Sequence, residues 1–169
     1  MNNLQFFHSM AEPNLIIVGT LALDKVKTPF GEVNDALGGS CTYASFAASF
    51  FSKPGIVGVA GEDFPDEHVN LLKNKGICTR GVEFKGSTFR WQGKYEFDMN
   101  EAETLKTELN ALQDFDPRLP DDYKEAEYVF LANIDPELQL KVMEQVKKPK
   151  LTIMDTMNFW IEGKKDKLL

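Results

Sequence analysis

Apolar residues fall along the chain in strand-length runs separated by stretches of helical period. Leu15-Ile16-Ile17-Val18, bounded by Asn14 and Gly19, and Ile56-Val57-Gly58-Val59 carry no polar residue on either face. Such runs predict strands covered on both sides of a parallel sheet, because alternation appears only where one face meets water. Between them Thr42 to Phe51, rich in Ala and Phe, predicts a buried helix. Ser40 or Thr42 is available to cap it, and Ser52-Lys53-Pro54-Gly55 ends it. Pro65 to Lys75 carries the signals of a second helix. Asp63 is placed to cap it, Pro65 fits its first turn, Asp66 and Glu67 suit the positive end of its dipole, and Gly76 follows its last turn.

Elsewhere the pattern changes. Asp24 to Leu37 alternates weakly about Thr28-Pro29-Phe30-Gly31, which predicts a short hairpin-like excursion. Ile77 to Leu109 is rich in Phe, Trp, Tyr and Thr and is broken by Gly81, Gly86 and Gly93. It reads as several antiparallel strands forming a flap, with Trp91-Gln92-Gly93-Lys94-Tyr95 as a hairpin tip. Strand and helix then alternate again: Tyr128 to Ala132, Pro136 to Val146 with Leu138, Val142 and Val146 on one face, and Lys150 to Met154 ending at Asp155. Alternation of this kind means an α/β fold, a parallel sheet between helical layers. Glu162 to Leu169 reads as a helix cut midway, and the chain as truncated.

A chain of 169 residues with 43% hydrophobic and 27% charged positions suits one globular domain. Its formal charge of −7 argues against sequence-independent nucleic-acid binding, which needs a clustered cationic face. With no polybasic run, it also argues against binding anionic membranes. Cys41 and Cys78 are far apart, so neither a CxxC zinc pair nor a disulfide framework is expected, and Cys41 reads as a small buried residue. Met1 to Pro13 has no secretory pattern and no segment is long enough to span a bilayer, so the expected location is the cytoplasm.

The chemistry concentrates in Gly38-Gly39-Ser40-Cys41-Thr42-Tyr43-Ala44 and in Gly58-Val59-Ala60-Gly61-Glu62-Asp63. A diglycine lets a backbone approach a polar ligand without a Cβ in the way, and a helix start offers unpaired N–H groups. With Gly19 to Asp24 and Asp155-Thr156-Met157-Asn158, these segments resemble the N-terminal half of the ribokinase-like (PfkB-type) carbohydrate kinases. The resemblance implies a three-layer αβα parallel sheet, here its N-terminal half, with a small antiparallel β-lid formed by segments near 20–37 and 77–109. It implies ATP and Mg2+ as cofactors, a sugar or sugar-like substrate, and a homodimer through the lid.

It also carries residues over. Asp24 corresponds to the acid that accepts hydrogen bonds from sugar hydroxyls, and a turn aspartate is the alternative. Gly38 and Gly39 correspond to the diglycine that packs on the sugar. The family has a small residue and then Asn where this chain has Cys41 and Tyr43, so Tyr43 takes the place of the Asn contact. Arg90, in the lid segment Phe89-Arg90-Trp91, is placed either for an anionic substituent or as a surface residue stacked on an aromatic ring. Asn133 and Asn158 follow predicted strand ends, where open α/β sheets bind ligands. Asp155 corresponds to the acid of an Asp-Pro-Asn strand end, or caps the helix that follows it.

The family's catalytic base lies in a Gly-Ala-Gly-Asp turn, and no such turn occurs here. Ala60-Gly61-Glu62-Asp63 belongs to the first signature, so catalysis is not assigned to Asp63. No catalytic or metal-ligating residue is expected in this chain, which by itself is expected to be inactive. Gly55-x-x-Gly58-x-x-Gly61 crosses a strand instead of following one, and Gly19-Thr20-Leu21-Ala22 is no dinucleotide loop. That disfavours a nicotinamide enzyme. His68 among acids, His8 in a tail, and Glu101 with Glu103 read as solvated side chains. A non-catalytic binding module for sugars or nucleosides, derived from a kinase, is the competing expectation.

Overall fold

The computed structural model describes residues 13–169, so His8 and the segment from Met1 to Glu12 lie outside the described residues. Nine strands and five α-helices follow one another along this span. They are β1 (Leu15–Val18), β2 (Ala22–Thr28), β3 (Gly31–Gly38), α1 (Ser40–Ser49), β4 (Gly55–Ala60), α2 (Asp66–Asn74), β5 (Cys78–Phe84), β6 (Phe89–Tyr95), β7 (Ala102–Glu108), β8 (Tyr128–Leu131), α3 (Pro136–Met143), β9 (Leu151–Met154), α4 (Asn158–Gly163) and α5 (Lys165–Leu168).

The apolar runs become the middle of a five-stranded parallel sheet of order β5-β4-β1-β8-β9. Ile16, Ile17, Val18, Ile56 and Val57 are almost wholly buried, as strands covered on both faces must be. One face packs under α1 and α2 through Cys41, Phe64, Leu72 and Ile77. The other is covered by Phe115, Leu119, Tyr123 and Ala126 from the segment after β7, and by Val142 and Val146 at α3. The result is three layers. The chain leaves β1 toward β4 and β5, then returns to the other side of β1 as β8 and β9. Strand order therefore reverses between β1 and β8, and the crevice at that point is where open α/β sheets take ligands.

Beside this body stands a four-stranded sheet of order β3-β2-β6-β7, the lid. The β2–β3 excursion is a hairpin whose turn is held by the Thr28 hydroxyl, which accepts from the Phe30 N–H and donates to the Gly31 carbonyl. Three details differ from the sequence reading. The lid is mixed, because β2 and β6 pair in parallel. Cys78–Phe84 is not part of the flap but pairs in parallel with β4 at the edge of the large sheet. Trp91 to Tyr95 is no hairpin tip but lies inside β6, and Gly93 is there because the Trp91 ring lies 1.9 Å from where its Cβ would be.

The helix ends also differ. Neither Ser40 nor Thr42 caps α1, whose preceding residue is Gly39, and Asp63 does not cap α2, which Pro65 precedes. The C-terminal helix is not continuous: α4 ends at Gly163 and the short α5 follows. Among the described residues no helix is long and apolar enough to cross a membrane.

Candidate functional site

The crevice is built by the exits of β1 and β8 and by the entrance to α1. Ser40 clasps the three together. Its hydroxyl donates to the Asn133 carbonyl at 2.7 Å and accepts from the Thr20 N–H at 3.1 Å. In return the Thr20 hydroxyl accepts from the Ser40 N–H at 2.9 Å, and the Thr20 carbonyl accepts from the Cys41 N–H at 3.0 Å. The first N–H groups of α1 are thus spent on Thr20, not presented to a ligand as the sequence suggests. Thr20 carries no signal in the sequence, since nothing local ties a threonine after β1 to a helix twenty residues on.

The diglycine has a physical cause at each position. Gly39 has φ +97°, a conformation that L side chains rarely adopt, and its Cβ would lie 2.2 Å from the Thr20 carbonyl oxygen. Gly38 is needed for space, because its Cβ would lie 1.9 Å from Asp24 Oδ2. The missing Cβ therefore lets the Asp24 carboxylate rest on the backbone at the end of β3. There burial, the dominant cause, pushes the carboxyl of Asp24 up to about 6. Asp24 is only partly covered, so it is a carboxylate held at the mouth of a crevice with few partners of its own. Ionised, it offers two acceptor oxygens to neighbouring hydroxyls.

Tyr43, in the first turns of α1, stands 64% exposed. Burial of its hydroxyl end raises its pKa, and the neighbouring Asp24 and Tyr95 raise it further. Tyr95 comes from β6, so Tyr43 of the body lies between the Asp24 carboxylate and an aromatic residue of the lid. Trp91 is the register neighbour of Asp24 across β2 and β6 and shares its face of the lid. Sequence reasoning does not single out Trp91 as a neighbour of Asp24, because the β2–β6 pairing that brings it there spans more than sixty residues.

Asn133, just beyond β8, donates from Nδ2 to the Met157 sulfur, while its buried Oδ1 has no partner among the described residues. Its loop is fixed from below by buried Gln139, whose Nε2 donates to the carbonyls of Leu131, Ala132 and Asp155. Asp155 caps nothing; α4 begins after Met157, with Asn158 exposed at its start. Between α1 and the β8–β9 side of the sheet runs an apolar trough of about 660 Å³, lined by Ile17, Ala44, Phe130 and Ile153 and reaching Ser40, Tyr43 and Asp155 at one end.

The remaining sequence candidates are accounted for elsewhere. Among the described residues Arg90 stacks on no ring; its guanidinium pairs with Asp35 and, at 2.9 Å, with Asp63. Cys41 is fully buried and its thiol is pushed up to about 12 by that burial, so it is inert packing. Gly55 and Gly58 lie within β4. His68 packs edge-on against Phe64.

No protein-family model matches the chain. Over 143 residues it is 27% identical to a cytidine kinase of Thermococcus kodakarensis, covering 83% of this chain and 50% of that protein. The solved nucleoside kinase of Methanocaldococcus jannaschii, an archaeal member of the ribokinase family, superposes with a TM-score of 0.69 at 20% identity, over 93% of this chain and 57% of its own. The nucleoside kinase of Burkholderia thailandensis in complex with ADP-inosine superposes with a TM-score of 0.63 at 14% identity, over 83% of this chain and 51% of its own. The chain spans about half the length of the curated relative it matches. In fold the chain is similar to solved nucleoside kinases of the ribokinase family, and in sequence to a cytidine kinase, over about half the length of those proteins.

Proposed function

We propose that this chain forms the substrate-binding side of an ATP-dependent kinase that phosphorylates a hydroxyl group of a nucleoside or sugar. The observation that carries the reading is the Asp24 carboxylate on the lid strand β2, seated on the Cβ-free backbone of Gly38 beside the strand-order reversal. Two hydroxyls of a ribose or similar polyol donate to its two oxygens, while Gly38 and Gly39 allow the ring to lie against backbone. Asn133 borders the ligand on the β8 side, its carbonyl held by the Ser40 hydroxyl. Asn158, exposed where α4 begins, takes a peripheral contact.

A nucleoside is favoured over a bare sugar by the relatives, a cytidine kinase and a nucleoside kinase solved in complex with ADP-inosine. Tyr43 agrees with this, because an exposed ring beside the carboxylate offers a planar base a face to lie against. Closing the lid over such a ligand removes water from the acceptor hydroxyl and so favours transfer over hydrolysis. The lid also presents free edge strands through which two copies pair in a dimer.

The nucleotide and its magnesium ion are a different matter. Among the described residues no three His, Cys, Asp or Glu side chains converge on a metal position. The sequence also offers no glycine-rich phosphate loop directly after a strand. Among the described residues none is placed to hold ATP–Mg2+.

Ligand-induced thermal stabilisation tests the reading. Cytidine, inosine and ribose are added separately without ATP, and at least one should raise Tm in a saturable way. No shift with any of them, up to millimolar concentration, contradicts it. Binding without ATP consumption by the full-length protein would make it a binding module.

A further inference from the structure

The turn Gly61-Glu62-Asp63 has a task that neither helix capping nor catalysis describes. We infer that Asp63 is a positioning residue that pins the lid to the body at the foot of β6 and so fixes how the lid, with Asp24 on its strand β2, stands against α1. This rests on reading the lid as the roof of a ligand site.

Both carboxylate oxygens of Asp63 are spent on the lid. Oδ1 accepts from the Thr88 N–H and from the Thr88 hydroxyl, each at 2.7 Å. Oδ2 accepts from Arg90 at 2.9 Å, and the same guanidinium continues to Asp35 on β3. One body carboxylate thereby holds the entrance of β6 and, through Arg90, a second lid strand. Thr88 is fully buried and has every polar atom occupied. Its hydroxyl accepts from the Gly61 N–H at 2.9 Å, and its carbonyl accepts from Asn110 Nδ2 at 2.8 Å. Gly61 must lack a side chain, because a Cβ there would sit 2.2 Å from both Asp63 Oδ1 and the Thr88 nitrogen. Burial works against ionising Asp63, yet its bonds to Thr88 and Arg90 hold the carboxyl below the usual range.

The geometry gives the pin leverage. From Thr88 the chain enters β6, where Trp91 lies in register with Asp24 and Tyr95 lies near Tyr43. A small rotation about the foot of β6 carries Trp91 and Asp24 together, because β2 and β6 are paired, and shifts them and Tyr95 relative to Tyr43 of α1. The ion pair with Arg90 is partly exposed, so most of the hold comes from the bonds to buried Thr88.

Hydrogen exchange read by mass spectrometry on the full-length protein tests this, with Asp63→Ala, Asp63→Asn, Thr88→Val and Arg90→Gln. Asp63→Ala should speed exchange in β6 and β7 about tenfold or more while β1 and β4 exchange as in the parent. Asp63→Asn keeps an acceptor for Thr88 but loses the charge facing Arg90, so it should fall between parent and Asp63→Ala. If Asp63→Ala does not fold, Asp63→Asn and Thr88→Val carry the comparison. Unchanged exchange in the lid overturns the inference, and so does equal acceleration of lid and core. In the 169-residue chain with Trp160→Phe, Trp91 is the only tryptophan, and its fluorescence anisotropy should drop in the same order. With cytidine as probe, affinity should weaken in that order too. If the parent binds no cytidine, the proposed function fails, while the exchange pattern still decides the pin.

Discussion

Replacing Asp24 by Asn should strengthen the fold while removing its ligand. The carboxyl is pushed from 3.8 to about 6 by burial at Gly38. In the unfolded chain it ionises near its ordinary value, so between about pH 4 and pH 6 the folded state holds more protons than the unfolded one. Stability from this group is therefore full below pH 4 and is lost as pH rises through 6. At pH 7.5 the full shift corresponds to about 3 kcal/mol. Solvent at a partly covered carboxylate lowers the expectation to about 1–2 kcal/mol. An amide of the same shape carries no such cost, so Asp24→Asn should raise Tm at pH 7.5 by about 2–8 °C in a chain of this length. At pH 4 the two proteins should melt together. The assay is thermal unfolding followed by circular dichroism at pH 4, 5, 6 and 7.5. An Asp24→Asn protein that melts at or below the parent at pH 7.5, with a gap independent of pH, refutes the argument. Stability given up at one carboxylate is what a site held ready for a polar ligand looks like.

Other residues give sharper structural expectations. Gly39→Ala should cost about 1–3 kcal/mol from its positive φ alone and more from the clash with Thr20, seen as a lower urea midpoint. Gly38→Ala pushes a methyl into Asp24 and should abolish nucleoside binding while leaving a cooperative fold, as titration calorimetry would read. Ser40→Ala breaks the clasp between β1, α1 and β8 and should cost about 1–2 kcal/mol in the same urea titration. Phe30 and Phe97 pack edge-to-face at the lid yet stand 79% and 78% exposed. If the lid joins two copies, changing both to Ser should turn a sedimenting dimer into monomer.

Much of the body is legible in the sequence because its strands are buried on both sides. β1 and β4 announce themselves as unbroken apolar runs, and the diglycine marks a close approach whatever lies against it. β5 misleads for the opposite reason. At the edge of the sheet its Arg80 and Glu83 are exposed, and without an unbroken apolar run it resembles the flap. Gly93 has the local signature of a turn, although it makes room for the Trp91 ring in mid-strand. Asp63 resembles a cap because it stands three residues before α2. Its partners, Thr88 and Arg90, lie twenty-five and twenty-seven positions away and leave no local signal. The site is legible in its glycines and its carboxylate, less so in the lid aromatics and Thr20, which only tertiary pairing brings to it.

The most direct measurement is cytidine binding by titration calorimetry at pH 7.5 and pH 5, for the parent and for Asp24→Asn. Saturable binding at pH 7.5 that weakens at pH 5, as the carboxylate is protonated, and that disappears in the variant would place the ligand on Asp24. Binding with the same affinity at both pH values and in the variant would contradict that placement, and no binding at all would contradict the nucleoside reading.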